Sequence, residues 1–375
     1  MNREWSIVNT SQDYKLAAGN TLPLLTIRHS RLTIHHSRLT IMRKLLQYLF
    51  KRPLTWMANT LSAKPEKKAV FKSLTKLYDS TIKNSKRVCS IAVDTLKDKF
   101  IIFSDQHKGD RDTGDDFTTN EFNYLKALEY YRQQNFSFIN LGDSEELWKY
   151  KPEQVLPANK NVFVAEAAFQ PVNYYKTFGN HDLIWKNKWD TARLLKNYFA
   201  MPLPVYEGIV LRTKVGNESL TIFCTHGHQG DKMSDNNAFS TWLVAHIWAP
   251  VQRYLQINVN TPSKDDNLRN KHNKMMYEWS SNRKNMLLVT GHTHKPVFAS
   301  GKYSSYPSND IERDDNDKLK PSYFNTGCCC FNDGDITGIE IEGGYIRLIK
   351  WHNENNVSAR LILEEIKLED LVKDL

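Results

Sequence analysis

Five short polar motifs, each placed after a run of apolar, β-branched or aromatic residues, constrain this chain more than any other feature. They are Asp105-Gln106-His107, Gly142-Asp143, Gly179-Asn180-His181-Asp182, His226-Gly227-His228 and Gly291-His292-Thr293-His294. The runs before them span 100–103, 136–141, 174–178, 220–224 and 286–289, and each reads as a buried strand. In open α/β sheets the carboxyl ends of strands are where ligand-binding residues gather. Asp, Asn and His at five strand ends therefore predict a layered α/β fold whose loops assemble one site.

The intervening pattern agrees. Phe122, Leu125, Leu128 and Tyr131 predict a helix over 119–133, and Ile336 to Trp351 reads as two strands joined at Gly343-Gly344. Strands alternating with helices argue for stacked sheet and helix layers. Between His226 and His292 lies a helical insertion, about 235–285. One helix is expected around Phe239 to Leu255, interrupted near Pro250, and a second over 269–284. The insertion is a candidate lid. Residues 301–320 read as a polar loop.

Charge is unevenly placed. The first 90 residues carry +13 of a net +9, which leaves −4 for the remainder. Within them, residues 1–41 repeat Leu-Thr-Ile at 25–27, 32–34 and 39–41 and read as a low-complexity segment upstream of a start at Met42. His29, His35 and His36 in it are not expected to hold a metal. Residues 42–95 read as a basic helical segment. Leu45, Leu46, Leu49 and Phe50 form a stripe flanked by Arg43, Lys44, Lys51 and Arg52, suited to peripheral contact of 42–60 with an anionic membrane or to packing on the body. The body itself is expected to span 96–352, with 353–375 as a tail.

The chain has no run of about 18 apolar residues, so no transmembrane helix is predicted. Its cysteines are five (Cys89, Cys224 and Cys328 to Cys330) without a Cys-x-x-Cys pair. A disulfide framework is not expected, and a reducing cytoplasm, with some protein at the inner membrane face, fits better. The Cys328–Cys330 run, with no basic partner evident, reads as buried small hydrophobes. Asp110, Asp112, Asp115 and Asp116 read as a solvated acidic loop.

Oxygen and imidazole donors without cysteine suit Mn, Fe, Zn or Co and disfavour a structural zinc site. Two metals about 3.5–4 Å apart need a shared carboxylate, a part Asp143 suits, and Asn180 adds a donor without charge. Two cations favour metal-assisted hydrolysis of a phosphate ester.

The order of motifs resembles the calcineurin-like metallophosphoesterase superfamily over residues 99–330. The resemblance implies a four-layer αββα sandwich of two mixed sheets flanked by helices. It also implies two divalent ions, one on Asp105, His107 and His294, the other on Asn180, His226 and His292, with Asp143 between them. His181 matches the family's non-ligand histidine, which protonates the leaving group or stabilises the transition state, and Asp182 would orient it. His228 would stand beside the centre and not on it. Ser104 to Gly109 and Gly142 to Trp148 are similar to the UDP-diacylglucosamine hydrolase branch, which cleaves a lipid-linked pyrophosphate. The chain departs from that branch at His181, where the branch has Arg. The substrates expected are a phosphomonoester, a phosphodiester or a nucleotide-lipid pyrophosphate. Two further readings are a metal-dependent nuclease and a non-catalytic membrane-surface module. Nucleic acid is not expected, since no basic patch interleaved with aromatics surrounds the motifs, and the complete donor set argues against a non-catalytic module.

Overall fold

Strand Phe100–Phe103 is buried at all four positions, and its neighbours share that character because both faces of their sheet are covered. The computed structural model describes residues 66–83, 85–112, 114–230, 266–301, 319–354 and 357–375. The repeat in 1–41, the 42–60 stripe, the helix around 239–255 and most of the 301–320 loop lie outside these residues. No helix among the described residues is long and apolar enough to cross a membrane.

Among the described residues, twelve strands form two mixed sheets. The larger contains β2 (Phe100–Phe103), β3 (Ser137–Leu141), β4 (Tyr174–Thr177), β5 (Val205–Tyr206), β10 (Ile336–Glu342), β11 (Tyr345–Glu354) and β12 (Val357–Lys367), in the order β12-β11-β10-β2-β3-β4-β5. The smaller contains β1 (Val88–Ala92), β6 (Gly208–Val215), β7 (Glu218–Thr225), β8 (Met286–Thr290) and β9 (Tyr323–Asn325), in the order β1-β6-β7-β8-β9. The alternation of side chains along each strand divides the interior into three cores. Phe100 and Ile102 of β2 meet Ile222 of β7 and Leu287 of β8 between the sheets. Ile101 and Phe103 face outward onto α2 (Glu121–Gln133), α3 (Pro152–Ala158), α4 (Lys160–Ala167) and α5 (Lys188–Leu195). The outer face of the smaller sheet, with Val210, Phe223 and Leu288, is covered by α1 (Lys67–Ile82) and α6 (Asp266–Ser281). The result is the expected helix–sheet–sheet–helix layering. A seventh helix, α7 (Leu368–Lys373), sends Leu368 and Leu371 into the inter-sheet core.

Periodicity accounts for the covering helices. Tyr124, Leu128 and Tyr131 make the buried stripe of α2, which ends at Gln133 shortly before Asn135 in left-handed backbone. Val70, Leu74 and Leu77 do the same for α1, so the lysines of this segment form the solvent face of a helix packed on the sheet. The layered body thus begins earlier than the expected boundary at 96, since β1 pairs parallel with β6. It also extends beyond 352, since β12 pairs with β11.

Strands β2, β3 and β4 run parallel in one sheet, and β7, β8 and β9 run parallel in the other. Their carboxyl ends carry all five motifs. Beneath the first two motifs lies a fully buried ionic network. Lys108 Nζ is 2.7 Å from Glu166 Oε1 and 3.1 Å from Glu145 Oε1, and Lys176 Nζ is 3.2 Å from Glu145 Oε2. Trp185 Nε1 donates to Glu145 at 2.6 Å, while Tyr124 and Tyr174 donate to Glu166 at 3.0 Å. Main-chain bonds Lys108 N to Ser144 O and Glu146 N to Lys108 O, both 3.0 Å, lock the same two loops together.

Burial opposes ionisation of Glu145, but Lys176 and Lys108 bring its carboxyl down to about 2. A depressed carboxylate stabilises the fold above its unfolded value near 4.5, and that contribution is lost as pH falls through the folded value. Glu145→Gln should therefore destabilise the metal-free protein by roughly 3–5 kcal/mol at neutral pH, since it leaves buried ammonium groups uncompensated. Urea unfolding should show the gap to the unsubstituted protein narrowing as pH falls from 4.5 toward 2.

Candidate metal centre

Among the described residues, eight other than glycine have positive φ, and five of them are Asp105, His107, Asp143, His292 and His294. Left-handed backbone is costly for such residues and persists only where surrounding contacts over-determine it. Here the contacts are those of the crossing loops. Asp105 N donates to Gly142 O, His107 N to Asp143 O and Gly291 N to His226 O, each at 3.0 Å. Across the two sheets, His292 N donates to Asp105 Oδ2 at 2.9 Å. The motif glycines follow from the same crowding. A Cβ on Gly179 would overlap Asp143 Oδ1 and lie 2.6 Å from Asp143 N, and one on Gly291 would overlap Ser104 Oγ and Asp105 Oδ2.

These loops bring together six of the seven expected ligands as a cluster of acids and imidazoles. Potential donor atoms of Asp105, His107 and Asp143 form one close group and those of Asp143, His226 and His292 a second, with Asp143 common to both. His294 Nε2 is 3.2 Å from Asp105 Oδ1 and 3.1 Å from His107 Nε2. His226 Nε2 is 3.1 Å from Asp143 Oδ2. Three rings share one orientation, with Nε2 inward and Nδ1 held from outside. Nδ1 of His226 donates to Leu141 O at 2.9 Å, Nδ1 of His107 faces Glu146 Oε2 at 3.1 Å, and Nδ1 of His294 is 3.5 Å from Cys330 Sγ. His292 lies within 5.2 Å, ring to ring, of both His226 and His272.

The donor set fits a metal on two independent grounds. Asn180 Oδ1, the seventh expected ligand atom, is buried without a hydrogen-bond partner, an arrangement that is costly unless a cation meets it. In addition, two imidazole nitrogens 3.1 Å apart suit donors each about 2.1 Å from a shared ion.

Electrostatics point the same way. Burial opposes ionisation of Asp105 and Asp143, yet the imidazoles, His226 foremost in each case, hold both carboxyls well below their usual range. Burial also opposes protonation of His226, but Asp143 and Asp105 push it up to about 9. His294 likewise rises to about 9, burial being outweighed by Cys328 and Asp105. His292, buried beside His272 and His226, is pushed well down. Protons thus supply the positive charge that the two acids demand, and a divalent cation must displace them.

His181 stands at the edge of the cluster. Its backbone N donates to Asp143 Oδ1 at 2.8 Å, its ring stacks on Trp148 at 4.0 Å and 22°, and Nδ1 bonds Glu146 Oε1 at 2.8 Å. The expectation that Asp182 orients His181 is therefore corrected, because that function falls to Glu146. The Asp182 carboxylate is committed to Ser144 N at 2.9 Å and Gly179 N at 2.6 Å, so it fixes the loops. Burial, with Glu145 and Asp143 nearby, raises it to about 6 against the pull of Lys176. Glu146 is the residue that sequence reasoning missed. Its sequence signals are its place three residues after Asp143 and its inclusion in the Gly142 to Trp148 segment. Burial opposes its ionisation too, but His181, Lys149 and His107 hold it well below the usual range.

His228 is buried beside His226 and Phe178 and joins none of the donor groups. The acidic loop is more ordered than expected. Asp115 accepts from Arg111 N and Phe117 N, and Asp116 pairs with Lys149 at 3.0 Å. The cysteine run is corrected in part: Cys328 and Cys329 are buried as expected, but His294 is a basic partner for Cys330, and Cys328, despite burial, is brought down to about 6 by Cys330 and His294.

The sequence profile of the calcineurin-like phosphoesterase family matches residues 98–296. Among solved structures, the chain is similar to vacuolar protein sorting 29 from Cryptosporidium parvum at 14% identity and a TM-score of 0.32, over 72% of this chain and 98% of that one. It is similar to a protein serine/threonine phosphatase from Saccharomyces cerevisiae at 12% identity and a TM-score of 0.29, over 80% of this chain and 91% of that one. Among curated proteins, none matches the chain.

Two outcomes are expected. Apparent metal affinity should rise with pH up to about 9, as the protons on His226 and His294 become easier to displace, and calorimetry in buffers of differing ionisation enthalpy should detect proton release. Gly291→Ala should weaken metal binding roughly 10–100-fold, the range for displaced supporting contacts, as read by chelator competition.

Proposed function

The chain belongs to the calcineurin-like phosphoesterase family, and on that premise we propose that its site holds two divalent metal ions and hydrolyses a phosphate ester. That it is a metal-dependent phosphoesterase follows from the family. The nuclearity, the metals and the substrate are our reading. One observation carries it: of the four groups of potential donors among the described residues, two, Asp105–His107–Asp143 and Asp143–His226–His292, share Asp143. One ion would take Asp105, His107 and His294, the other Asn180, His226 and His292, with Asp143 shared. Mn, Fe, Zn and Co all suit these donors.

When bound, such ions supply Lewis acidity toward the phosphoryl oxygens and make water a nucleophile at neutral pH. The chain's own groups do the rest. Asp105 and Asp143 keep the site anionic enough to retain cations, and Asn180 contributes an oxygen without further charge to repel an anionic substrate. Glu146 accepts the Nδ1 proton of His181, and the Trp148 face fixes the ring plane. Nε2 of His181 is then the atom that carries a proton to the leaving oxygen. The candidate substrates are a phosphomonoester, a phosphodiester and a nucleotide-lipid pyrophosphate.

Full-length protein reconstituted with Mn should hydrolyse at least one of an aryl phosphate monoester, an aryl phosphodiester and a nucleotide-lipid pyrophosphate. Inactivity on all three would overturn the proposal. His181→Asn should reduce kcat by about 10²–10⁴ with metal content unchanged. Loss of metal in that variant would make His181 a ligand instead. Glu146→Gln should reduce kcat in the same direction.

A further inference from the structure

Three inward-facing histidines have their Nδ1 atoms held by three different kinds of partner. For His226 it is the carbonyl of Leu141, and for His107 it is the carboxylate of Glu146. Both only accept hydrogen bonds, so each dictates the tautomer that leaves Nε2 bare for a cation. For His294 it is the Cys330 thiol, 3.5 Å from Nδ1. A thiol both donates and accepts weakly. It can donate to Nδ1 while Nε2 carries a proton toward Asp105 Oδ1 at 3.2 Å, or accept from Nδ1–H while Nε2 is bare.

Cys330 reaches His294 because the chain after β9 passes beside the first and fifth motifs. Thr326 N bonds Thr290 O at 2.9 Å and Cys329 N bonds Asp105 O at 3.2 Å. Cys329 itself enters the core beneath the helices, so the tripeptide is divided between packing and the site. Cys330 is half-buried, whereas Cys328 and Cys329 are fully buried.

We propose that Cys330 is a positioning residue for His294, its sulfur accepting from Nδ1–H when Nε2 faces an ion and so governing how tightly this one ligand is held. The assignment rests on the metal-binding reading above. It makes His294 the ligand whose hold on the ion is sensitive to chemistry at a thiol.

Chelator competition on the full-length protein with Zn or Mn tests it. Cys330→Ala should lower affinity about 10–100-fold, the usual effect of removing a ligand's outer partner. Cys330→Ser, which keeps a polar acceptor, should recover part of the loss, and Cys89→Ser, on β1, should bind as the unsubstituted protein does. Nitrogen chemical shifts of the His294 ring should report Nδ1–H in the metal-loaded protein. If Cys330→Ala fails to fold, alkylation of Cys330 by iodoacetamide in a Cys89→Ser background gives the same readout, with loss of affinity expected. Affinity within twofold of the unsubstituted protein, after either treatment, would overturn the proposal. A thiolate-to-cobalt charge-transfer band in the cobalt-loaded protein would also overturn it, by making Cys330 a ligand. If the unsubstituted protein binds no metal, both readings fall together. Intact hydrolysis with unaltered affinity in Cys330→Ala removes only this one.

Discussion

Two carboxylates, Asp105 and Asp143, are buried at the ends of adjacent parallel strands, and the cost of keeping them ionised there shapes what surrounds them. An uncompensated buried charge costs several kcal/mol, far more than one surface contact can return. The structure meets that demand with backbone donors from His292 and His181 and with imidazoles from both sheets. Delivering those donors forces the loops into left-handed backbone and leaves no room for a side chain at Gly179 or Gly291. The motif glycines and the motif ligands are thus two consequences of one electrostatic constraint.

Around the cluster, polar groups are spent on rigidity. The Lys108–Glu145–Lys176–Glu166 network contributes little net stability against an apolar alternative, because desolvation offsets much of the attraction. Its effect is positional, since it gives the first two motif loops one shared arrangement. On the other sheet α6 does the corresponding work. His272 donates to Gly227 O at 2.8 Å, and Asn273 accepts from Thr293 and Tyr323, which ties both histidine motifs to one helix. The insertion's second helix is therefore part of the site's support, whatever else the insertion does.

Much of this was legible beforehand. The five strands before the motifs were visible because burial on both faces leaves runs rich in apolar, β-branched and aromatic residues. Helix α2 was visible through its stripe. Strand β1 was not, because it is five residues long and follows a lysine-rich helix. Strand β12 was hidden by a bulge: Leu348 pairs with Glu364 and Ile349 with Ile362, so Leu363 is an extra residue that breaks the alternation. In the site, the seven metal-ligand candidates were nameable from residue type and motif, while Asp182 was given a role that belongs to Glu146.

By itself the sequence determined which donor atoms exist and where along the chain they fall, because ligand chemistry and strand–loop boundaries are local properties. Only the tertiary structure decided which nitrogen of each ring faces inward and what holds the other. Those partners lie 85 residues away for His226, 35 for His181 and 36 for His294. Hydrogen-bond geometry over such separations is set by how two sheets stack and how their loops cross. No local pattern records it, and a carboxylate next in sequence can lose the contact to one brought near by the fold.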